Sequence, residues 1–441
     1  MANNNPNPVI ERIVLKIDCY LKTPALIGSG LGEYTDSDVL RDADGEPFLP
    51  GSTVAGVMRS LFPEDVTLFG GQDSISPLWV MDTKFEGANI IELDGVAIDR
   101  ENKVAIDSKK YDFEAVDAGA TFTIRLMLVI REEDKCINGQ SKNYKSLLKK
   151  LIGLVQSGRM AVGAKTKRGF GCVAYICAKQ QVFKLTKGNI AALDAWVKFD
   201  WDSPNGWEEA EREDYNDGYS VMSAELKLDG SIMIRDTRHI YDNLGEEEKA
   251  PDYKHITVNG EPVILGTSWA GAFRSGLQKL LEPKFPGKAC TYLDKVFGCV
   301  KEADSDEGIT ASATVSQIVF GASFFKKAED EKTVGFRSIA RVKIDRFTGG
   351  ASDGALFVEK PWYGGETEVE IRFPKGCLAI EQLLLLGFDA INKGLIQIGG
   401  EASIGRGFFK DVCVRVDGVK TETGGDKTKL LKRLEEEGDA V

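Results

Sequence analysis

Two glycine-led segments present the first chemical possibility. Gly51, Ser52 and Thr53 stand immediately before an amphipathic run, so Ser52 or Thr53 is placed to cap a helix whose first amides face an anion, and Arg59 lies two turns on. The arrangement recurs as Gly266, Thr267, Ser268 and Arg274, with 59 − 51 equal to 274 − 266. Helix capping plus a surface arginine is the plain alternative; the repeated spacing favours phosphate. A second segment, GAKTKRGFG at 163–171, sets Lys165, Lys167, Arg168 and Gly169 among glycines that let backbone amides approach a phosphate while the cations neutralise it. Its counterpart carries Gly405, Arg406 and Gly407. Because this segment follows a helix and enters a strand, it is not a dinucleotide fingerprint, and a tight turn is the competing account.

Beside the first anion site lies an acidic loop, IGSGLGEYTDSDVLRDAD at 27–44, with four aspartates and one glutamate. Carboxylates next to a nucleic-acid backbone are costly unless they are used, for example to hold a divalent metal or its waters near a scissile phosphate. A solvated acidic turn is the alternative. The chain has only two histidines, His239 and His255, which nearly excludes the paired-histidine acid–base chemistry of many metal-independent ribonucleases. Aromatic residues follow each of two Ile-Asp-Arg triplets: Tyr111 and Phe113 after 98–100, and Phe357, Trp362 and Tyr363 after 344–346. On projecting hairpins they would stack on bases or wedge between them, whereas core packing is the commoner fate of an aromatic.

These residues need elements to position them, and the elements come in two copies. Leu15-Lys16-Ile17-Asp18 returns as Leu226-Lys227-Leu228-Asp229, an offset of 226 − 15 = 211. GEPFLPGSTVAGVMRSLF at 45–62 is matched by GEPVILGTSWAGAFRSGL at 260–277, with 260 − 45 = 215. The Ile-Asp-Arg triplets and the glycine-rich GAKTKRGFG and GEASIGRGFF complete the order, and four ordered matches mean duplication. We expect one domain over 1–190, an acidic linker over 191–220, a second domain over 221–420 and a flexible tail over 421–441. Within each half the order is strand, loop, helix, strands, long insertion, helix, strand, with second helices at 146–156 and 378–392. That order predicts an α+β class: two tandem ferredoxin-like, RRM-like domains with inserted hairpins, helices on one sheet face and RNA on the other.

Composition bounds the partners. The 441 residues are 42% apolar and 28% charged, enough to bury real cores. A net charge of −12 excludes a generic electrostatic trap for nucleic acid, so any RNA contact must be local. No stretch approaches the ~20 apolar residues of a membrane span, and MANNNPNP lacks the order of a signal peptide, so the expected location is cytoplasmic. Eight scattered cysteines without a Cys-x-x-Cys argue against disulfides and structural zinc.

Taken together, the acidic loop followed by PFLPGSTVAGVMRSLF, the Ile-Asp-Arg segment and the terminal KRGFG and GRGFF loops resemble the RAMP superfamily, over nearly the whole chain. Within it they resemble the backbone subunits of type III CRISPR effector complexes, and the fusion of two such units resembles the type III-D branch. The resemblance implies binding of a guide (CRISPR) RNA and a target RNA beside other subunits of the complex. It also implies thumb hairpins that interrupt the guide–target duplex, and one loop aspartate per active unit supporting cleavage with a divalent metal, Mg2+ or Mn2+. Carried onto this chain, that aspartate is Asp36, with Asp38 as competitor. In the second unit ungapped matching sets Asp252 opposite Ser37, one position away, with Asp242 and Asp236 as alternatives. The same resemblance leaves open a non-catalytic RNA scaffold, and a guide-processing ribonuclease, against which the scarcity of histidine counts.

Overall fold

The computed structural model describes residues 7–30, 32, 34–62, 68–71, 75–98, 105–135, 143–215, 218–236, 251–301, 312–326, 334–424 and 426–436. Two compact units form: Met1–Glu92 with Asp112–Thr166 and Phe170–Asp217, and Gly218–Val441 with Leu93–Tyr111 and Lys167–Gly169.

The first half of the chain contains β1 (Val9–Leu21), α1 (Gly51–Leu61), β2 (Thr83–Glu86), β3 (Ile90–Ile98), β4 (Ala105–Val116), β5 (Thr121–Arg131), α2 (Tyr144–Gln156), β6 (Val173–Lys184) and α3 (Ile190–Val197). Its antiparallel sheet has the core order β2-β5-β1-β6, and β3 with β4 makes a separate two-stranded ribbon. The second unit contains β7 (Tyr219–Asp229), α4 (Gly266–Leu281), α5 (Lys288–Phe297), β8 (Ser323–Lys326), β9 (Ile339–Ile344), β10 (Ala351–Lys360), β11 (Glu366–Pro374), α6 (Leu378–Asn392), β12 (Phe408–Val416) and α7 (Thr428–Glu436). Its sheet order, β8-β11-β7-β12, repeats the first, with β9 and β10 as the corresponding ribbon. Both are the ferredoxin-like arrangement that the repeats predicted.

Period-two alternation decides which face of each sheet meets the helices. Ile13, Leu15, Ile17 and Cys19 on β1 are buried with Val54 and Met58 of α1 and Leu148, Leu151 and Val155 of α2. Ala224, Leu226, Val369 and Ile371 play that part in the second unit against Trp269, Phe273, Leu384 and Phe388. Each Val, Leu, Ile, Met or Phe among them contributes about 1.5–3 kcal/mol on burial, so these layers fix the register.

The other sheet face departs from expectation. In the first unit it is covered: Val14, Met127, Val129 and Phe183 lie under Trp196, Phe199, Trp201 and Trp207. The guanidinium of Arg12 sits 4.6 Å from the Trp196 ring centroid, and the Lys16 ammonium 4.7 Å from that of Trp207. Strand Glu208–Glu209 extends the sheet by pairing with Gln180 and Lys179. The stretch taken for an acidic linker is therefore a cap on the first unit, held by its tryptophans while its carboxylates face out. In the second unit the corresponding face carries Glu225, Glu366, Glu368 and Glu370 beside Lys227, Arg372 and Arg415. Neither face is a basic platform for RNA.

The expected flexible tail also differs, because Leu430 and Leu434, four residues apart, share one face of α7 and are fully buried as it packs on α5 and α6. Among the described residues no helix is long and apolar enough to cross a membrane, and the described cysteines are all free.

Candidate nucleic-acid interface

Within the acidic loop the carboxylates divide into two classes. Asp38 is buried and accepts the backbone N–H groups of Tyr34 and Thr35 at 3.1 and 2.9 Å, and the Thr35 hydroxyl at 2.8 Å. Asp42 accepts the N–H groups of Asp44 and Glu46 and pairs with Lys84 at 2.6 Å, which lowers its pKa. Both build the loop rather than act from it. The loop's far end is tied down by Glu114, which takes Arg41 bidentately and the Val39 N–H. Asp36 is left exposed, and it is clasped to β4: its N–H donates to Asp112 Oδ1 at 3.0 Å, and the Asp112 N–H donates to Asp36 Oδ2 at 3.1 Å.

Asp252 is clasped to β10 in a related way. Its N–H donates to the Val358 carbonyl at 2.8 Å, and the Val358 N–H donates to Asp252 Oδ2 at 2.6 Å. Positions 112 and 358 correspond, since 358 − 112 and 344 − 98 both equal 246. The equivalence of Asp252 with Asp36 is thus geometric, and the one-residue slip in sequence is absorbed by the loop. Of the alternatives, Asp236 sits on a short strand opposite Lys254, and Asp242 lies outside the described residues. His255, near Asp252 in sequence, faces inward: it is fully buried, its Nδ1 accepts the Ile234 N–H at 3.1 Å, and burial pushes its pKa down to about 3.

The glycine loops correspond in a register that sequence matching missed by two residues. The Val162 N–H donates to the Gly171 carbonyl and the Ile398 N–H to the Gly407 carbonyl, both at 2.9 Å, so Gly171 answers Gly407 at 407 − 171 = 236. A Cβ on either would lie 1.9 or 2.1 Å from the opposing carbonyl oxygen, at φ of +64° and +76°. In this register Arg406 answers Phe170, not Arg168. That corrects Arg406 as an RNA ligand: at 3% exposure its guanidinium is bonded to Glu359 at 2.8 Å and to Glu401, and it serves as a structural tie. In the first unit the same three positions hold Phe113, Phe170 and Lys165, with ring centroids 6.1 Å apart and the ammonium 3.6 Å from the Phe113 ring. Arg168 is exposed, Lys167 lies 5.3 Å from the centroid of Tyr219, Gly169 is buried at φ +82°, and Gly405 is left-handed at φ +84°.

The helix starts also differ from expectation. Neither Ser52 nor Thr53 caps α1; Pro50 is the N-cap, and the Gly51 N–H donates to Asp82 at 2.7 Å, so that amide already has its anion. Gly51 and Gly266 are required by close packing, since a Cβ would meet the Val80 or Phe320 carbonyl oxygen at 2.3 or 2.2 Å. Ser52 and Arg59 occupy the exposed stripe of α1, whereas Ser268 is half-buried and Arg274 is tied to Asp294 and the Gly298 carbonyl. The matching spacing of the two arginines thus does not carry a matching role.

Of the expected base-displacing aromatics, Tyr111 is 38% exposed and lies over Gly95 across the ribbon, and Phe357 is half-buried on β10. Phe113 and Trp362 are corrected: at 3% and 9% exposure they are internal, Trp362 against Phe325 and Phe336. The residue that sequence reading missed is Phe347, 99% exposed at the β9–β10 tip. Asp345 shapes that tip by accepting the N–H groups of Phe347 and Thr348 at 2.9 and 2.7 Å, which lowers its own pKa. The Asp-Arg-Phe-Thr run held this signal, as did Lys343 and Arg346, exposed cations clustered on one arm of an acidic chain. Val342, Ile344 and Leu356 are exposed on the same arm, a combination suited to stacked bases and phosphates. Asp99 and Arg100 of the first triplet lie outside the described residues.

Among the described residues no three His, Cys, Asp or Glu side chains converge as a metal cage. One exposed carboxylate, such as Asp36, is compatible with Mg2+, which commonly takes one or two carboxylates and completes its shell with water and substrate phosphate. In the second unit Val358 stands where Asp112 does, leaving one carboxylate. The family model for the RAMP superfamily matches the chain twice, over residues 18–174 and 226–410. No curated protein matches it.

Proposed function

The chain belongs to the RAMP superfamily, in two tandem copies, and on that premise we propose that it is a backbone subunit of a cytoplasmic type III CRISPR effector complex that binds guide RNA and cuts the paired target RNA. The observation that supports this best is the duplicated clasp: one exposed aspartate per unit, Asp36 and Asp252, whose Oδ2 accepts a backbone N–H from the returning strand of its ribbon. In the reaction the ribose 2'-hydroxyl attacks the adjacent phosphorus in line and loses its proton, and the 5'-oxygen leaves with a proton, giving a 2',3'-cyclic phosphate and a 5'-hydroxyl. The aspartates orient the scissile linkage, Lys165, Arg168 and Arg59 neutralise backbone phosphates, and Tyr111, Phe347 and Phe357 meet bases. Asp36 in the first unit or Asp252 in the second would hold a Mg2+ or Mn2+, which when bound would supply charge neutralisation at the phosphate.

The test is to assemble the complex with Asp36→Ala, Asp252→Ala or both, and map the fragments of a guide-matched RNA. Each single change should remove one cut, the double change all cuts made by this subunit, and chelation of divalent ions should act like the double change while precursor guide RNA stays intact. Wild-type fragments from the double variant would leave the non-catalytic scaffold.

A further inference from the structure

We infer that the returning strand of each ribbon is the positioning element for the cleavage aspartate, and that Asp112 is a positioning residue in the first unit only. The inference rests on the cleavage reading of Asp36 and Asp252. In both units a backbone N–H of that strand occupies the aspartate's Oδ2, from Asp112 at 3.1 Å and from Val358 at 2.6 Å, with Oδ1 outside this bond. The aspartate's own N–H is returned to the strand by different means: to the Asp112 side chain in the first unit and to the Val358 backbone carbonyl in the second. The loop next to the clasp is also bound to the strand, through the Glu114 N–H to the Ser37 carbonyl at 3.0 Å and through the parallel pairing of Tyr253 and Lys254 with Glu359 and Lys360. An exposed carboxylate on an eighteen-residue loop would otherwise sample many rotamers. The clasp fixes it to the same ribbon that meets the target, so ribbon seating and carboxylate aim are one event.

The two units supply each other's control. Asp112→Ala removes the side-chain acceptor and should slow the Asp36-dependent cut about 10- to 100-fold in single turnover, with the Asp252-dependent cut and target affinity unchanged. Asp112→Asn keeps an oxygen acceptor and should restore the rate to within about threefold, which a charge role or a general folding defect would not allow. Val358→Pro removes the N–H given to Asp252 and should slow only the other cut. If Val358→Pro does not assemble, the Asp112 pair decides. An unchanged rate with Asp112→Ala, an equal fall in both cuts, or Asp112→Asn as slow as Asp112→Ala would each overturn the inference. The cleavage reading fails separately, if Asp36→Ala leaves both cuts in place.

Discussion

His255 shows how a residue type misleads until its surroundings are known. A histidine three positions from Asp252 invites a role in proton transfer, yet its ring lies inside against Phe325 and is neutral at pH 7. Its folded pKa of about 3 lies below the ordinary 6.5, so the unfolded chain binds the extra proton. Its contribution to stability is therefore complete above pH 6.5 and is lost as pH falls toward 3, at about 1.4 kcal/mol per unit. Denaturant unfolding between pH 6.5 and 4.5 should show this slope, and His255→Gln should flatten it by about one proton's worth while leaving RNA cutting at pH 7 intact; an unchanged slope would exclude His255 as its source. Asp36 and Asp38 illustrate the same limit. Sequence placed both in DSD, and only the hydrogen bonds separate the loop builder from the exposed carboxylate.

At the scale of elements, strands and helices were legible because their periods are written in apolar residues: Leu15 and Ile17 on β1, and Leu148, Leu151 and Val155 on α2. Loops have no period, so GRGF matched KRGF by letters while carbonyl contacts set the correspondence two residues away. The ribbons were legible as projections but not in their working residues, because an aromatic near a turn reads alike whether it faces in or out. Phe347 and Trp362 make that distinction measurable. Phe347→Ala should leave stability within about 0.5 kcal/mol, as expected of an exposed side chain, while slowing the Asp252-dependent cut. Trp362→Ala should cost about 3–5 kcal/mol and appear in Tm before anything else. The reverse pattern would return Trp362 to the role of wedge.

For the whole molecule, charge placement matters more than net charge. A chain of −12 leaves its outer sheet faces capped or glutamate-lined, while the β9–β10 ribbon carries Lys343 and Arg346 exposed beside Phe347. Binding should then depend on few phosphates. Lys343→Ala with Arg346→Ala should lower the slope of log affinity against log salt by about 1.4, from about 0.7 per phosphate on a single strand. A slope that does not move would place the RNA elsewhere. The duplication itself was legible in four ordered matches, whereas the tryptophan cap was not, since its charged residues spoke for a linker and its aromatics declare themselves only in packing.

One junction carries a consequence for descent. Phe113, Phe170 and Lys165 in the first unit, and Glu359, Arg406 and Glu401 in the second, fill corresponding positions with incompatible chemistry, an aromatic contact in one and a desolvated ion triplet in the other. Any single exchange strands a carboxylate or guanidinium against phenyl rings. A graft between the two halves is expected to fold at this point only if all three residues travel together.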